Sequence, residues 1–90
     1  MARLMKKRQT FSLEQPGAAN VQLVGDFSEW EKNPILLKKQ KNGLWKATVS
    51  LSPGTYQYRF LVDGRWQDDP ACPTRVPNPV GEMNCVREVA

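Results

Sequence analysis

The chain has 90 residues and a formal net charge of +4, with 40% hydrophobic and 24% charged residues. This length is sufficient for one hydrophobic core and therefore for one domain. No apolar run approaches the roughly 18 residues that a membrane-spanning helix needs. The absence of histidine excludes a Ser-His or Cys-His catalytic pair.

The positive charge is concentrated at the N-terminus. Thirteen residues are basic, and four of them lie in the first eight positions: Arg3, Lys6, Lys7 and Arg8. We interpret residues 1–8 as a basic tail and residues 9–90 as one domain in which nine basic residues balance nine acidic ones. Because nucleic-acid binding needs a basic face on the fold itself, we expect no nucleic-acid partner. The tail is not followed by the roughly 7–15 apolar residues of a secretory signal, which favours a cytoplasmic location.

The first third of the chain predicts two strands and a short turn. Residues 11–14 alternate apolar and polar side chains, as a half-buried strand does. Residues 21–24 predict a second strand, which Gly25-Asp26 closes. The stretch Ser28-Glu29-Trp30-Glu31 has the Ser-x-x-Glu form of a capping box, so one helical turn is expected before Asn33-Pro34.

Two dipeptides predict hairpin turns. Asn42-Gly43 lies between two strand-like segments and readily adopts the positive φ angles of a type I′ turn. Asp63-Gly64 is a second two-residue hairpin signal. The two strands between these turns alternate: one places Trp45, Ala47, Val49 and Leu51 on one face, and the next places Tyr56, Tyr58, Phe60 and Val62 on one face with Gln57 and Arg59 opposite.

Four prolines interrupt residues 68–81. This stretch can form neither a helix nor a central strand, and we expect it to run over the surface. A last strand is predicted at 83–89. About six to eight short strands separated by turns predict an all-β fold, an antiparallel β-sandwich.

Few residues are suited to catalysis or metal binding. Cys72 and Cys85 are expected to be free thiols in a reducing compartment, with a disulfide between them as the alternative. Two cysteines without histidine are too few for a zinc site. Asp68 and Asp69 are adjacent, so their side chains are expected to point to opposite faces rather than act together. We therefore predict no metal, no cofactor and no catalytic residue.

The three tryptophans are more informative about a binding function. Trp45 shares the apolar face of its strand and is interpreted as a core residue. Trp30 lies in a loop and Trp66 lies two residues after a tight turn, so each either caps an end of the sandwich or stays exposed to meet a flat ligand. A pyranose ring offers such a flat apolar face, whereas a nucleobase brings phosphates that a neutral domain does not attract.

Two stretches, VGDFSEW and YRFLVDGRWQDDP, resemble carbohydrate-binding module family 48, the glycogen- and starch-binding module. The resemblance covers about residues 9–89. It implies an immunoglobulin-like sandwich that binds an α-1,4-glucan such as glycogen and catalyses no reaction. The sugar-binding residues that it implies are Trp30 and Trp66 as stacking platforms, Arg59 and Asn84 as hydrogen-bonding residues, and Val80 and Glu82 in the loop that presses into the sugar chain.

This loop departs from the family pattern at two positions. Val80 stands where the family carries a leucine and Glu82 where it carries a threonine. Two hypotheses follow. The chain is a glucan-binding module that would bring a separate glycogen-metabolising enzyme to glycogen, or it is a spacer or docking module for such an enzyme with a weak or lost sugar site. The two retained tryptophans favour the first.

Overall fold

Nine short strands form the fold in the computed structural model, which describes residues 6–90. Every strand pair is antiparallel. In chain order the strands are β1 (Lys7–Glu14), β2 (Val21–Gly25), β3 (Ile35–Leu36), β4 (Lys38–Lys39), β5 (Leu44–Leu51), β6 (Gly54–Val62), β7 (Arg65–Gln67), β8 (Arg75–Pro77) and β9 (Met83–Val89). The all-β antiparallel sandwich is confirmed, with nine strands in the described residues rather than six to eight.

The strands form two sheets that enclose the core. One sheet has the order β1-β5-β4, and the other has the order β3-β2-β6-β9-β8 with β7 paired to β6. The predicted strand at 11–14 begins earlier than expected, because Lys7 and Arg8 already pair with Leu51 and Ser50. The structure therefore places these two residues of the predicted tail in β1. The rest of that tail, residues 1–5, lies outside the described residues.

Phe11 lies at the centre of the core and is fully buried. Its ring lies 4.9 Å from the Tyr58 ring in an edge-to-face arrangement and 5.5 Å from the Phe27 ring. The Arg87 guanidinium covers it at 4.2 Å from the ring centroid. Phe11 thus connects the two sheets and also supports Phe27, which lies in the loop after β2.

The predicted alternation along β6 is present. Tyr58 and Phe60 are 1% and 0% exposed in the core, and Gln57 and Arg59 lie on the opposite face. The face that carries Gln57 and Arg59 is the outer surface of the larger sheet.

The two predicted turns differ in length. Asp63 and Gly64 have φ angles of 50° and 81°, and Val62 pairs directly with Arg65, so this is the expected two-residue hairpin. Asn42 and Gly43 also have positive φ angles, 67° and 73°. Their loop contains a third residue, because the hydrogen bond that closes it runs from the N–H of Gln40 to the carbonyl of Leu44.

The proline-containing stretch 68–81 contributes one short strand, β8, which lies at an edge of its sheet. Its first residues also cover part of the core, since Asp69 and Cys72 are 5% and 9% exposed. Both cysteines are free and buried. Asp68 and Asp69 do point in opposite directions: Asp68 accepts a hydrogen bond from Arg59 on the outer face, and Asp69 accepts one from the Tyr58 hydroxyl, 2.7 Å away inside the fold.

Tyr58, Asp69 and Cys85 form a buried polar cluster. Asp69 donates its backbone N–H to the Cys85 sulfur at 3.3 Å. Burial raises the pKa of Cys85 to about 11. Burial and the hydrogen bond to Asp69 also raise the pKa of Tyr58. Both groups are therefore held in their neutral forms in the folded chain.

This cluster predicts a loss of stability at alkaline pH. The Cys85 pKa is about 11 in the folded chain and 9.0 without the shift, so above pH 9 the unfolded chain binds fewer protons than the folded one. The stabilisation is complete below pH 9 and is lost as the pH rises through 11, and two pKa units correspond to about 2–3 kcal/mol. Tyr58 acts in the same direction. Urea unfolding at several pH values should show a smaller decline for Cys85→Ala, and an identical decline in both proteins would contradict the assignment.

Candidate functional site

An open cleft of about 480 Å³ lies on the outer face of the larger sheet. Three segments border it: the loop after β2, the hairpin of β6 and β7, and the turn between β8 and β9. Its lining residues are Asp26, Trp30, Glu31, Gln57, Arg59, Trp66, Asn78, Pro79, Val80, Glu82 and Asn84. All six residues proposed from the sequence, Trp30, Arg59, Trp66, Val80, Glu82 and Asn84, lie in this one cleft, and their roles in binding stay predictions.

Trp30 begins the second of two single 3₁₀ turns, Asp26–Ser28 and Trp30–Lys32. The predicted capping box is wrong. The Ser28 hydroxyl accepts the N–H of Gly25 at 3.0 Å and lies 3.0 Å from the carbonyl oxygen of Trp30. Glu29 and Trp30 both have left-handed backbone, with φ angles of 53° and 57°. Such a conformation costs a bulky residue on the order of 1 kcal/mol and persists only where the surroundings hold it.

Asp26 fixes the orientation of the Trp30 indole. One of its carboxylate oxygens accepts the indole N–H at 3.2 Å, and the other accepts the backbone N–H of Gln57 at 2.8 Å. Gly25 allows this close approach, because a Cβ atom at that position would lie 2.5 Å from the carbonyl oxygen of Gln57. Sequence reasoning missed Asp26 and Gln57. The available signal was an aspartate directly after the strand and four residues before the tryptophan.

Trp66 forms the opposite wall and is 41% exposed. The Arg59 guanidinium lies over one face of its ring, at 5.1 Å from the centroid. Arg59 is only 7% exposed. Its Nε donates to Asp68 at 3.1 Å and its Nη1 donates to Glu82. The outward direction predicted for Arg59 is correct, but two carboxylates and an indole already surround the charge.

Val80 stands at the rim of the cleft and is 78% exposed. Its loop is held by Asn78, whose side-chain oxygen accepts the backbone N–H groups of Val80 and Glu82 at 3.1 and 3.0 Å. Gly81 completes the turn with a φ angle of 86°. An apolar side chain is thus presented to solvent by a loop with a fixed backbone.

Asn84 is buried, with 5% exposure. Its side-chain oxygen accepts from Asn78 at 3.1 Å, and its side-chain nitrogen donates to the Gln57 oxygen at 3.0 Å. Both polar atoms of this predicted sugar-binding amide are therefore bonded within the protein.

The described part of the chain, residues 6–90, contains no group of three or more histidine, cysteine, aspartate or glutamate side chains placed to hold a metal ion. No helix within these residues has the length and hydropathy needed to cross a bilayer.

Comparison with known proteins leads to one family. The family model described as the glycogen recognition site of AMP-activated protein kinase matches residues 8–90. The chain is similar to the beta-1 subunit of 5′-AMP-activated protein kinase from Sus scrofa, with 38% identity over 73 residues, which are 81% of this chain and 57% of that protein.

Two chloroplastic proteins of Arabidopsis thaliana are also similar. PTST homolog 2 is 36% identical over 73 residues, 80% of this chain and 14% of that protein. Protein PTST is 39% identical over 59 residues, 63% of this chain and 21% of that protein. The chain thus spans less than two thirds of the length of each of these three relatives. Since two of them are chloroplastic, the cytoplasmic location expected from the sequence stays a prediction.

Proposed function

Because the chain belongs to the family of the glycogen recognition site of AMP-activated protein kinase, a carbohydrate-binding and non-catalytic type of domain, we propose that it binds an α-1,4-glucan such as glycogen in the cleft between Trp30 and Trp66. The observation that carries the proposal is the convergence of two indoles and an exposed valine on one cleft.

Stacking supplies the apolar part of the proposed binding. A pyranose ring presents a face of C–H groups to an indole, and burying apolar surface contributes about 25 cal/mol per Å². Trp66 is suited to this because one ring face rests on Arg59 and the side chain is partly exposed. Trp30 is suited because the bond to Asp26 fixes its indole before a ligand arrives, which reduces the ordering cost of binding.

Polar groups between the indoles supply the rest. Glu82 has a side chain that is 54% exposed, and one of its oxygens already pairs with Arg59. The free part of this carboxylate is an acceptor for sugar hydroxyls. The spacer hypothesis is less favoured, since a tryptophan kept only for packing would have no reason to line an open cleft.

The position of Val80 at the rim of the cleft favours a curved ligand. Two walls and an apolar residue at the rim suit a chain that bends, as α-1,4-glucans do, and not an extended β-1,4 chain. A ring-closed oligosaccharide is bent before it binds and loses less conformational freedom. We expect affinity to fall from the cyclic seven-glucose ligand to linear maltoheptaose and then to maltotriose, with dissociation constants on the order of micromolar to millimolar.

Isothermal titration calorimetry tests this order, with cello-oligosaccharides as the matched controls. Similar affinity for cello-oligosaccharides would contradict the proposal. Titrations at low and high salt separate it from nucleic-acid binding, because phosphate contacts make affinity fall steeply with ionic strength and glucan stacking does not. Recruitment of a separate glycogen-metabolising enzyme is a further part of the proposal, which pull-down with glycogen particles would test.

A further inference from the structure

A relay of three side-chain amides crosses the floor of the cleft. It starts at Asn78, whose side-chain oxygen accepts two backbone N–H groups. Asn78 then donates to Asn84 at 3.1 Å, and Asn84 donates to Gln57 at 3.0 Å. The backbone of Gln57 is in turn held by Asp26. The relay connects the loop that carries Val80 with the wall that carries Trp30.

The direction of this relay follows from its starting point. A backbone N–H can only donate, so the Asn78 oxygen must face the loop and the Asn78 nitrogen must face Asn84. Asn84 then has to present its oxygen to Asn78, and its nitrogen faces Gln57. Gln57 must therefore accept this hydrogen bond with its side-chain oxygen. Its side-chain Nε2 is left over, and it makes no hydrogen bond within residues 6–90 of the structure.

Among the other nitrogen-bearing side chains of the cleft, Trp30, Arg59, Asn78 and Asn84 already donate hydrogen bonds within residues 6–90, and Trp66 is a proposed stacking platform. The Trp30 indole N–H bonds to Asp26. Arg59 and Asn84 are 7% and 5% exposed and bond to neighbouring side chains. The carboxylates of Asp26, Glu31 and Glu82, which also line the cleft, accept hydrogen bonds from sugar hydroxyls but offer none.

We propose that Gln57 is a sugar-binding residue whose Nε2 donates a hydrogen bond to an oxygen atom of the glucan. Asn78 and Asn84 act through Gln57 as positioning residues, and Arg59 acts by supporting Trp66. This inference rests on the proposed function and assigns to that site a hydrogen-bond donor.

Side-chain amide resonances test the assignment directly. In a ¹⁵N-labelled full chain titrated with maltoheptaose, the NH₂ signals of Gln57 should shift with the same saturation curve as the Trp66 indole signal. The NH₂ signals of Gln40, in an exposed hairpin loop of the other sheet, should stay in place. Binding that leaves the Gln57 signals unchanged overturns this inference alone. If the wild-type chain does not bind at all, the proposed function fails, and this assignment fails with it.

Two variants change the donor without removing the relay. Gln57→Glu keeps an oxygen for Asn84 but places an acceptor in the cleft, and Asn78→Asp reverses the relay so that Gln57 turns its oxygen outward. Each should weaken maltoheptaose binding about fivefold to tenfold, the effect of one hydrogen bond, with a melting temperature close to that of the wild type. The matched control Gln40→Glu should bind as the wild type does. Unchanged affinity in both variants would overturn the proposal.

Discussion

Replacing Trp66 by alanine is expected to remove measurable binding of maltoheptaose and to leave the sandwich folded. The indole is one of two walls of the cleft, and truncating a tryptophan at the centre of a contact surface costs about 2 kcal/mol or more, roughly 30-fold in affinity. The fold should persist because Trp66 is 41% exposed and packs on Arg59 outside the core. Affinity electrophoresis in glycogen-containing gels, with circular dichroism of the same samples, measures both outcomes.

Trp30→Ala should have a similar effect, since it removes the opposite wall. Leu36→Ala is the matched control for both. Leu36 is 61% exposed and lies in the same sheet, but it does not line the cleft between the tryptophans. Normal glycogen retention by both tryptophan variants would show that the cleft is not the binding site.

Phe11→Ala should give a large loss of stability. The side chain is fully buried between the two sheets, and truncating a buried phenylalanine costs about 3–5 kcal/mol because apolar contacts are lost and a cavity remains. The free energy of unfolding of a small domain is only about 5–15 kcal/mol, so a large part of it depends on this ring. Urea unfolding monitored by tryptophan fluorescence gives the value.

The control for this experiment is Phe11→Leu, which keeps most of the volume and should cost less than about 1.5 kcal/mol. Without denaturant, at a temperature where Phe11→Ala is still folded, the variant should still bind glucan, because Phe11 does not line the cleft. A loss below 1 kcal/mol for the alanine variant would mean that the core repacks around the gap.

Local patterns in the sequence predicted most of the fold. Alternation placed Tyr58 inward and Arg59 outward, and Asp63-Gly64 marked the tight hairpin, because both effects depend only on neighbouring residues. The predicted capping box at Ser28 was wrong because the Ser-x-x-Glu pattern does not show which backbone groups the hydroxyl contacts in the folded loop. The Ser28 hydroxyl bonds to Gly25 and Trp30, in a loop that is also tied to β6 through the hydrogen bond between Gln57 and Asp26.

Six residues that line the candidate site were predicted from the sequence, but the hydrogen bonds that join the residues of the site were not. The tryptophans could be found from their positions near turns and from the family resemblance. Asp26 had a local signal, its place four residues before the tryptophan, but Gln57 had none, because its hydrogen bonds to Asp26 and Asn84 join residues 31 and 27 positions apart in the chain. The burial of Asn84 has the same origin. No periodicity in one strand reveals which amide of a neighbouring loop will bond to it.

The left-handed backbone at Trp30 has a consequence for how this domain can change over generations. A glycine would adopt the φ angle of 57° without steric cost, so selection for stability alone would favour losing the indole. The proposed binding role would instead favour keeping the indole at this position. Copies of the domain that are kept only as packing units are therefore expected to drift first at this residue. Under the proposed function, copies of the domain that bind glucan are expected to keep the tryptophan.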